Sequence, residues 1–299
     1  MNVTPSTRTL VPSFWSRLRR GSRIVKQAAD WPKFAGEDWP DRILTETVTD
    51  LLHEKQGRAI ARWTLTNGAG KLIVFLKRHY KLPWVQGLLA TLFPRSARSP
   101  GLQEWEHLEW AKAAGFPVPR AVAAGQFVGP FGKLQGFIAI EELTGQLPLH
   151  LAVPLATERL EPAAFERWKR GLIAELARIA RELHRRSVFH KDLYFCHFYI
   201  DESLTRTVPE SWVNRATMID LHRLGRHPWL APWFRIKDLA QFLYSSEVAG
   251  VTARDRLRFW KRYRELWSRG APGRWMELFI RWKWKLYRRH GARKKRKVA

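Results

Sequence analysis

Along the first hundred residues the apolar positions change period more than once. Residues 1–40 mix Pro, Ser, Arg and Trp with no sustained repeat and read as an irregular arm. ILTETVTDLL, RAIARWTLTN and KLIVFLKRH are β-rich runs, and Asn67-Gly68-Ala69-Gly70 separates the last two, so three antiparallel strands with a hairpin are expected. GLQEWEHLEWAKAAG then places Leu102, Trp105 and Leu108 at helical intervals before Gly115-Phe116-Pro117 stops the helix. Residues 120–143 return to strand character and end in GFIAIEEL. Beyond residue 155 the pattern is helical, clearest where Leu172, Ile173, Leu176, Ile179, Ala180 and Leu183 form one stripe. IKDLAQFLYSS opens another helix, and RDRLRFWKRYRELW and WMELFIRWKWKLYRR close the chain.

This succession predicts an α+β protein: an arm at 1–40, a small β-rich lobe at 41–145, a larger helical lobe at 146–280 and a basic aromatic tail at 281–299. At 299 residues, 45% of them hydrophobic, the chain can bury a core for each lobe. One cysteine excludes an internal disulfide and a four-cysteine zinc site. No run has the length and apolarity of a signal peptide or a membrane span, so a cytoplasmic protein is expected.

Charge changes the picture. Fifty-three Lys and Arg against 27 Asp and Glu give +26, a surface that attracts polyanions: nucleic acid, anionic lipid or a phosphorylated glycolipid. The tail RWKWKLYRRHGARKKRKVA sets ten cations among Trp, Leu and Tyr, so a peripheral anchor on the inner face of the cytoplasmic membrane is expected, with a disordered solubilising tail as the alternative.

The chemistry-bearing residues follow one order: a lysine on a strand, a glutamate on the next helix, a strand ending Glu-Glu-Leu, then His-Lys-Asp, then a later Asp. Phosphoryl transfer needs a cation on nucleotide phosphates, an acid to hold that cation, a carboxylate at the acceptor hydroxyl, and metal ligands. Lys77 of VFLK and Glu104 supply the first two. Asp192 of HKD supplies the third. Asp220, after the apolar run Ala216–Ile219, is the candidate metal ligand. Glu141, Glu142 and Leu143 stand where backbone groups would meet adenine. Gly57 is the lone glycine in the turn before the second long strand, so any glycine cover over the phosphates is sparse. Asp238 is expected to cap its helix or support the loop of Asp192. No GxxxxGK[ST] occurs, which removes P-loop enzymes.

The order resembles that of protein kinases: a two-lobed fold with a small antiparallel N-lobe and a larger helical C-lobe. In HKDLYFCHF, His197 stands where protein kinases carry a magnesium-binding Asn. That segment, with FLKRHY, MIDLHRLG and IKDLAQFLYSS, resembles the bacterial lipopolysaccharide core kinases, the Kdo and heptose kinase family, from about residue 45 to 250. The resemblance implies Asp192 as catalytic base, Lys77 and Glu104 as the ion pair, Asp220 with His197 at Mg²⁺, and ATP as donor. It implies a lipid-linked sugar as acceptor, heptose or Kdo. Lys191 replaces the family's more usual Arg, keeping the charge and losing the planar fork. Leu221-His222 replaces the Phe-Gly of protein kinases, which argues against activation-loop control. Two other readings stand beside this one: a kinase-fold enzyme acting on a soluble small molecule or on protein, and a catalytically silent kinase-like protein that binds membrane or nucleic acid. Nucleic acid is not the expected partner of the kinase reading.

Overall fold

The structure is a computed structural model and describes residues 13–298 apart from 49, 56, 69, 97, 266 and 268–272. Residues 1–12 of the expected arm lie outside the described residues, as do the side chains of 293–298 in the tail. The chain divides into two compact units, residues 1–108 with 120–142 and residues 109–119 with 143–299.

The first unit is built on a six-stranded antiparallel sheet. Its strands are β1 (Ser22–Gln27), β2 (Asp50–Lys55), β3 (Arg58–Asn67), β4 (Gly70–His79), β5 (Ala121–Val128) and β6 (Leu134–Glu141), in the order β1-β5-β6-β4-β3-β2. The β3–β4 register runs from Asn67 opposite Gly70 to Arg58 opposite His79, so the glycine-rich turn sets which residues of β4 face the core. Helices α1 (Phe14–Arg20), α2 (Trp31–Ala35), α3 (Trp39–Arg42) and α4 (Trp84–Leu92) surround the sheet, and α5 (Pro100–Ala113) begins in this unit. Trp31, Trp39, Ile43, Val74, Leu76, Val122 and Phe137 form its core.

Two expectations are corrected here. Residues 13–40 are not irregular: they hold α1 to most of α3 and the edge strand β1, which is held by its ladder to β5 and whose half-buried Ser22, Ile24 and Lys26 alternate with exposed Arg23, Val25 and Gln27. Ile43 does not start a strand. Trp39 and Ile43, four apart, both bury as a helical turn would present them, and Ile43 N–H closes that turn on Trp39 O, so the strand begins at Asp50.

The second unit is mainly helical, with α6 (Leu149–Arg159), α7 (Pro162–Arg185), α8 (Ala231–Ser245), α9 (Ala253–Glu265) and α10 (Arg274–Val298). The predicted stripe of α7 is buried at Leu172, Leu176, Ile179, Ala180 and Leu183, and α7 packs on α9 while α8 packs on α10. Five short strands lie among the helices: β7 (Gln146–Pro148), β8 (Val188–Phe189), β9 (Phe198–Asp201), β10 (Thr217–Met218) and β11 (Gly225–Arg226). They pair as β10-β9-β7 and β11-β8. These pairings pin both ends of the loop that carries Asp192 and His197. The expected tail is the later part of one continuous helix, α10. Among the described residues no helix is long and apolar enough to cross a membrane.

Candidate active site

In the first unit, Lys77 lies on β4 opposite Ile138 of β6. Its Nζ donates to Glu104 Oε1 at 2.8 Å, with the two side chains 13% and 3% exposed, so the charges meet largely out of water. Gly101 accounts for the approach of α5: a Cβ there would stand 2.3 Å from the carbonyl oxygen of Phe137. Glu104 follows one helical turn later and is thereby held beside the strand that carries Lys77. Glu106, two positions round the helix, instead faces Lys26 at 3.7 Å.

At the end of β6, Glu141 accepts from Arg120 Nε at 2.6 Å, and Glu142 accepts from Arg62 Nε and Nη2 at 2.6 and 2.8 Å. Their backbone N–H groups donate to Arg120 O and Ile73 O. Leu143 opens the second unit, and its carbonyl accepts from Gln146 N–H. Gly57 has φ +76° at the β2–β3 turn, and its carbonyl accepts from Tyr80 N–H at 2.7 Å, which holds that turn against the chain leaving β4.

In the second unit, Asp238 of α8 is wholly buried. Its Oδ2 accepts from His190 N–H at 2.9 Å and its Oδ1 from Lys191 N–H at 2.8 Å, with His184 Nε2 3.3 Å from Oδ2. A buried carboxylate thus supplies acceptors to two consecutive amides of a loop with no ladder partner of its own. Lys191 has φ +65°, a left-handed conformation that costs about 1–3 kcal/mol outside glycine, and Asp238 offsets it. His190 Nε2 donates to Ile219 O at 3.0 Å, tying the loop to the segment that presents Asp220. Burial pushes the pKa of both His184 and His190 down, so both imidazoles are neutral.

Asp192 follows directly. Arg223 Nη1 donates to its Oδ1 and Oδ2 at 3.1 and 3.0 Å, and Gln241 Nε2 donates to Oδ1 at 3.3 Å and to Tyr194 Oη at 3.1 Å. The carboxylate is therefore oriented from two sides while its side chain keeps 15% exposure. Lys191 Nζ stands 3.4 Å from His227 Nε2 and over the Phe234 ring. Burial, then the charges of Arg223 and Lys237, lower its pKa.

His197 links the loop to Asp220. Its Nδ1 is 2.9 Å from the carbonyl of Asp192, an oxygen that can only accept, so Nδ1 carries the proton. Nε2 then faces Asp220 Oδ2 at 3.8 Å, while Asp220 Oδ1 accepts from His222 Nδ1 at 2.8 Å. In that tautomer Nε2 turns its lone pair toward the Asp220 carboxylate. Asp220 has φ +61°, ψ +53°, a second left-handed residue. Among the described residues no cluster of three or more His, Cys, Asp or Glu side chains forms a closed metal site. Mg²⁺ takes oxygen ligands, so of these two groups the Asp220 carboxylate fits it and the His197 nitrogen is the poorer partner.

Residues 47–263 match the lipopolysaccharide kinase (Kdo/WaaP) family. The chain belongs to that family. It is 33% identical over 233 residues to the lipopolysaccharide core heptose(I) kinase WaaP of Pseudomonas aeruginosa, covering 75% of this chain and 82% of the relative. It is 30% identical over 218 residues to the WaaP of Escherichia coli K12, covering 72% and 77%. Among solved structures it resembles WaaP in complex with acyl carrier protein, with TM-score 0.62, 27% identity, and coverage of 87% of this chain and 99% of that one. As a Kdo/WaaP kinase the chain is an ATP-dependent phosphotransferase with an alcohol group as acceptor, and its fold is kinase-like.

Within this Kdo/WaaP chain, Lys77 meets Glu104, and Asp192, His197 and Asp220 share one network. Three residues of that network had no role assigned from sequence: Arg223, Gln241 and His222. Arg223 lies three residues after Asp220. Gln241 lies one helical turn after Asp238, so an α8 known to carry one loop-facing side chain at position i presents another at i+3.

Proposed function

We propose that this enzyme transfers the γ-phosphoryl group of ATP to a hydroxyl of a lipid-linked sugar of the lipopolysaccharide core, with heptose the first acceptor to test and Kdo the second. The observation that carries the reading is His197, which donates to the carbonyl of Asp192 and turns its other nitrogen toward Asp220. One imidazole thereby ties the backbone of the acceptor-side residue, Asp192, to the carboxylate of Asp220, and phosphoryl transfer needs both an acceptor-side and a metal-side acid.

Asp192 accepts a hydrogen bond from the sugar hydroxyl, orients the oxygen for in-line attack and takes its proton as the bond to phosphorus forms. Gln241 and Arg223 fix the carboxylate for that task. Lys77, held by Glu104, offers its ammonium to the nucleotide phosphates. Leu143, with the carbonyls of Glu141 and Glu142, meets the adenine, because the N–H groups of Glu141 and Glu142 already donate within the sheet. Gly57 contributes a sparse backbone cover. Asp220 and His197 would hold Mg²⁺, which when bound neutralises charge on the phosphate oxygens.

The relatives are named heptose(I) kinases, which supports testing heptose first, and the +26 surface suits an acceptor already anionic on an anionic membrane face. The solved WaaP is in complex with acyl carrier protein, so a carrier protein is a partner to test here. The test is mass spectrometry of core glycolipid from cells with and without the gene, paired with transfer of labelled phosphate from ATP to purified core acceptor. A mass difference of one phosphate on the core is expected. An unchanged core, with transfer to peptides or soluble sugars instead, would replace this acceptor by another.

A further inference from the structure

α10 is amphipathic on two faces. One face packs: Met276 and Ile280 are buried, Trp284 Nε1 donates to Glu247 Oε1 at 2.6 Å, and Tyr287 lies against Tyr244. The other is apolar and faces solvent. Trp275 is 51% exposed, Leu278 68%, Phe279 51%, Trp282 52% and Leu286 39%. Their spacing of 3, 1, 3 and 4 residues keeps all five within about 100° of arc, where the outer face of a soluble helix is ordinarily polar. The start of α8 extends the patch, since Trp233 is exposed and lies under the ammonium of Lys283, with Trp229 and Leu230 exposed just before it.

The rim is cationic. Arg281, Lys283, Lys285, Arg288 and Arg289 flank the stripe, five more cations follow at residues 293–297, and Glu277 is the sole acid of residues 274–298. Tryptophan and phenylalanine bordered by lysine and arginine match a lipid interface, where aromatic rings sit at headgroup level and cations meet lipid phosphate. A second copy of this chain fits poorly, because it would set +26 against +26.

We infer that the outer face of α10, residues 275–286, with Trp229, Leu230 and Trp233 of the α8 entrance, docks flat on an anionic bilayer without crossing it. This deepens the proposed function, since it rests on an acceptor that is lipid-linked. It also moves the contact surface: the penetrating residues are the first three turns of α10, while Arg288 and Arg289 beyond Leu286 supply attraction without insertion.

The experiment compares wild-type protein with the variant Trp275→Ser, Phe279→Ser, Trp282→Ser by flotation on vesicles. One set holds phosphatidylglycerol and phosphatidylethanolamine, the other phosphatidylcholine alone. Wild type should partition to the anionic vesicles, and the triple variant should bind at least about tenfold more weakly. Leu278→Asp is a second, single-site probe that needs no loss of tryptophan, and it too should weaken partitioning several-fold. Phosphoryl transfer to delipidated core sugar should be unchanged in both, which reports an intact fold. Asp192→Ala should float like wild type, so loss of the catalytic reading and loss of the docking reading are told apart. Equal flotation of wild type and triple variant overturns the inference. So does loss of binding to acyl carrier protein in the triple variant while vesicle binding persists, which would assign the face to a protein.

Discussion

Lys77 with Glu104 and Arg223 with Asp192 are both cation–carboxylate pairs, and they are built in opposite ways. The first joins a central strand to a helix, is largely buried and has its geometry set by regular backbone and by Gly101. The second sits on a loop with a left-handed residue at Lys191, with the Arg223 side chain half exposed, and depends on Asp238 beneath it. A charge on a regular element is placed by register. A charge on a loop needs a second buried charge to hold the backbone that presents it.

The sharpest way to break the comparison is at Asp192. Asp192→Ala should lower kcat by about a thousandfold, the scale of a lost general base, with the circular dichroism spectrum intact. Turnover within threefold of wild type would make the loop carboxylate a bystander. Next is Asp238→Ala, which strands the buried amide of His190 and the half-buried amide of Lys191 and should lower unfolding free energy by about 3–5 kcal/mol in a denaturant titration. Activity should collapse with it although Asp238 touches no substrate. If stability falls while kcat holds, the loop does not need its support.

Glu104→Gln keeps the shape and an acceptor but removes the carboxylate charge that Lys77 meets on α5. A loss of about 2 kcal/mol and a raised KM for ATP are expected, and an unmoved KM would separate the ion pair from nucleotide binding. A smaller effect should come from pH. His184 and His190 have folded pKa values pushed below the ordinary 6.5 by burial, so the unfolded chain binds protons first as pH falls. Their contribution is present above about pH 6.5 and is lost as pH falls below it toward the folded values, with an uptake of about two protons on unfolding. A melting temperature flat from pH 7.5 to 5.5 would contradict this. The smallest change should be Arg223→Gln, worth less than about 1 kcal/mol in stability for so exposed a pair, with a several-fold fall in kcat from a less fixed Asp192.

Much of this is legible in the sequence. The β3–β4 hairpin follows from Asn67-Gly68-Ala69-Gly70, the long stripe of α7 from its period, and the family from HKDLYFCHF with FLKRHY and MIDLHRLG. What escaped reading was long-range. β1 is a half-polar edge strand recruited by β5, which lies about a hundred residues away, so its own pattern is weak. The segment after Ile43 carries β-branched residues at alternate positions, yet the burial of Trp39 and Ile43 decides its start as a helical turn. Arg223 and Gln241 have no motif of their own, because their role is defined by where Asp192 arrives in space. Asp238 could be read as a cap or a support, and its partners place it under the loop.

Gly101 leaves α5 no slack. Wherever a helix brings its glutamate to a lysine by sliding or rolling, the contact becomes a variable that an effector can set. Here a bare backbone rests against a strand carbonyl on one side and a desolvated ion pair closes the other, so the helix position is written into the sequence. Any residue larger than glycine at this one position would act as a wedge, prising Glu104 away from Lys77 without altering either of them.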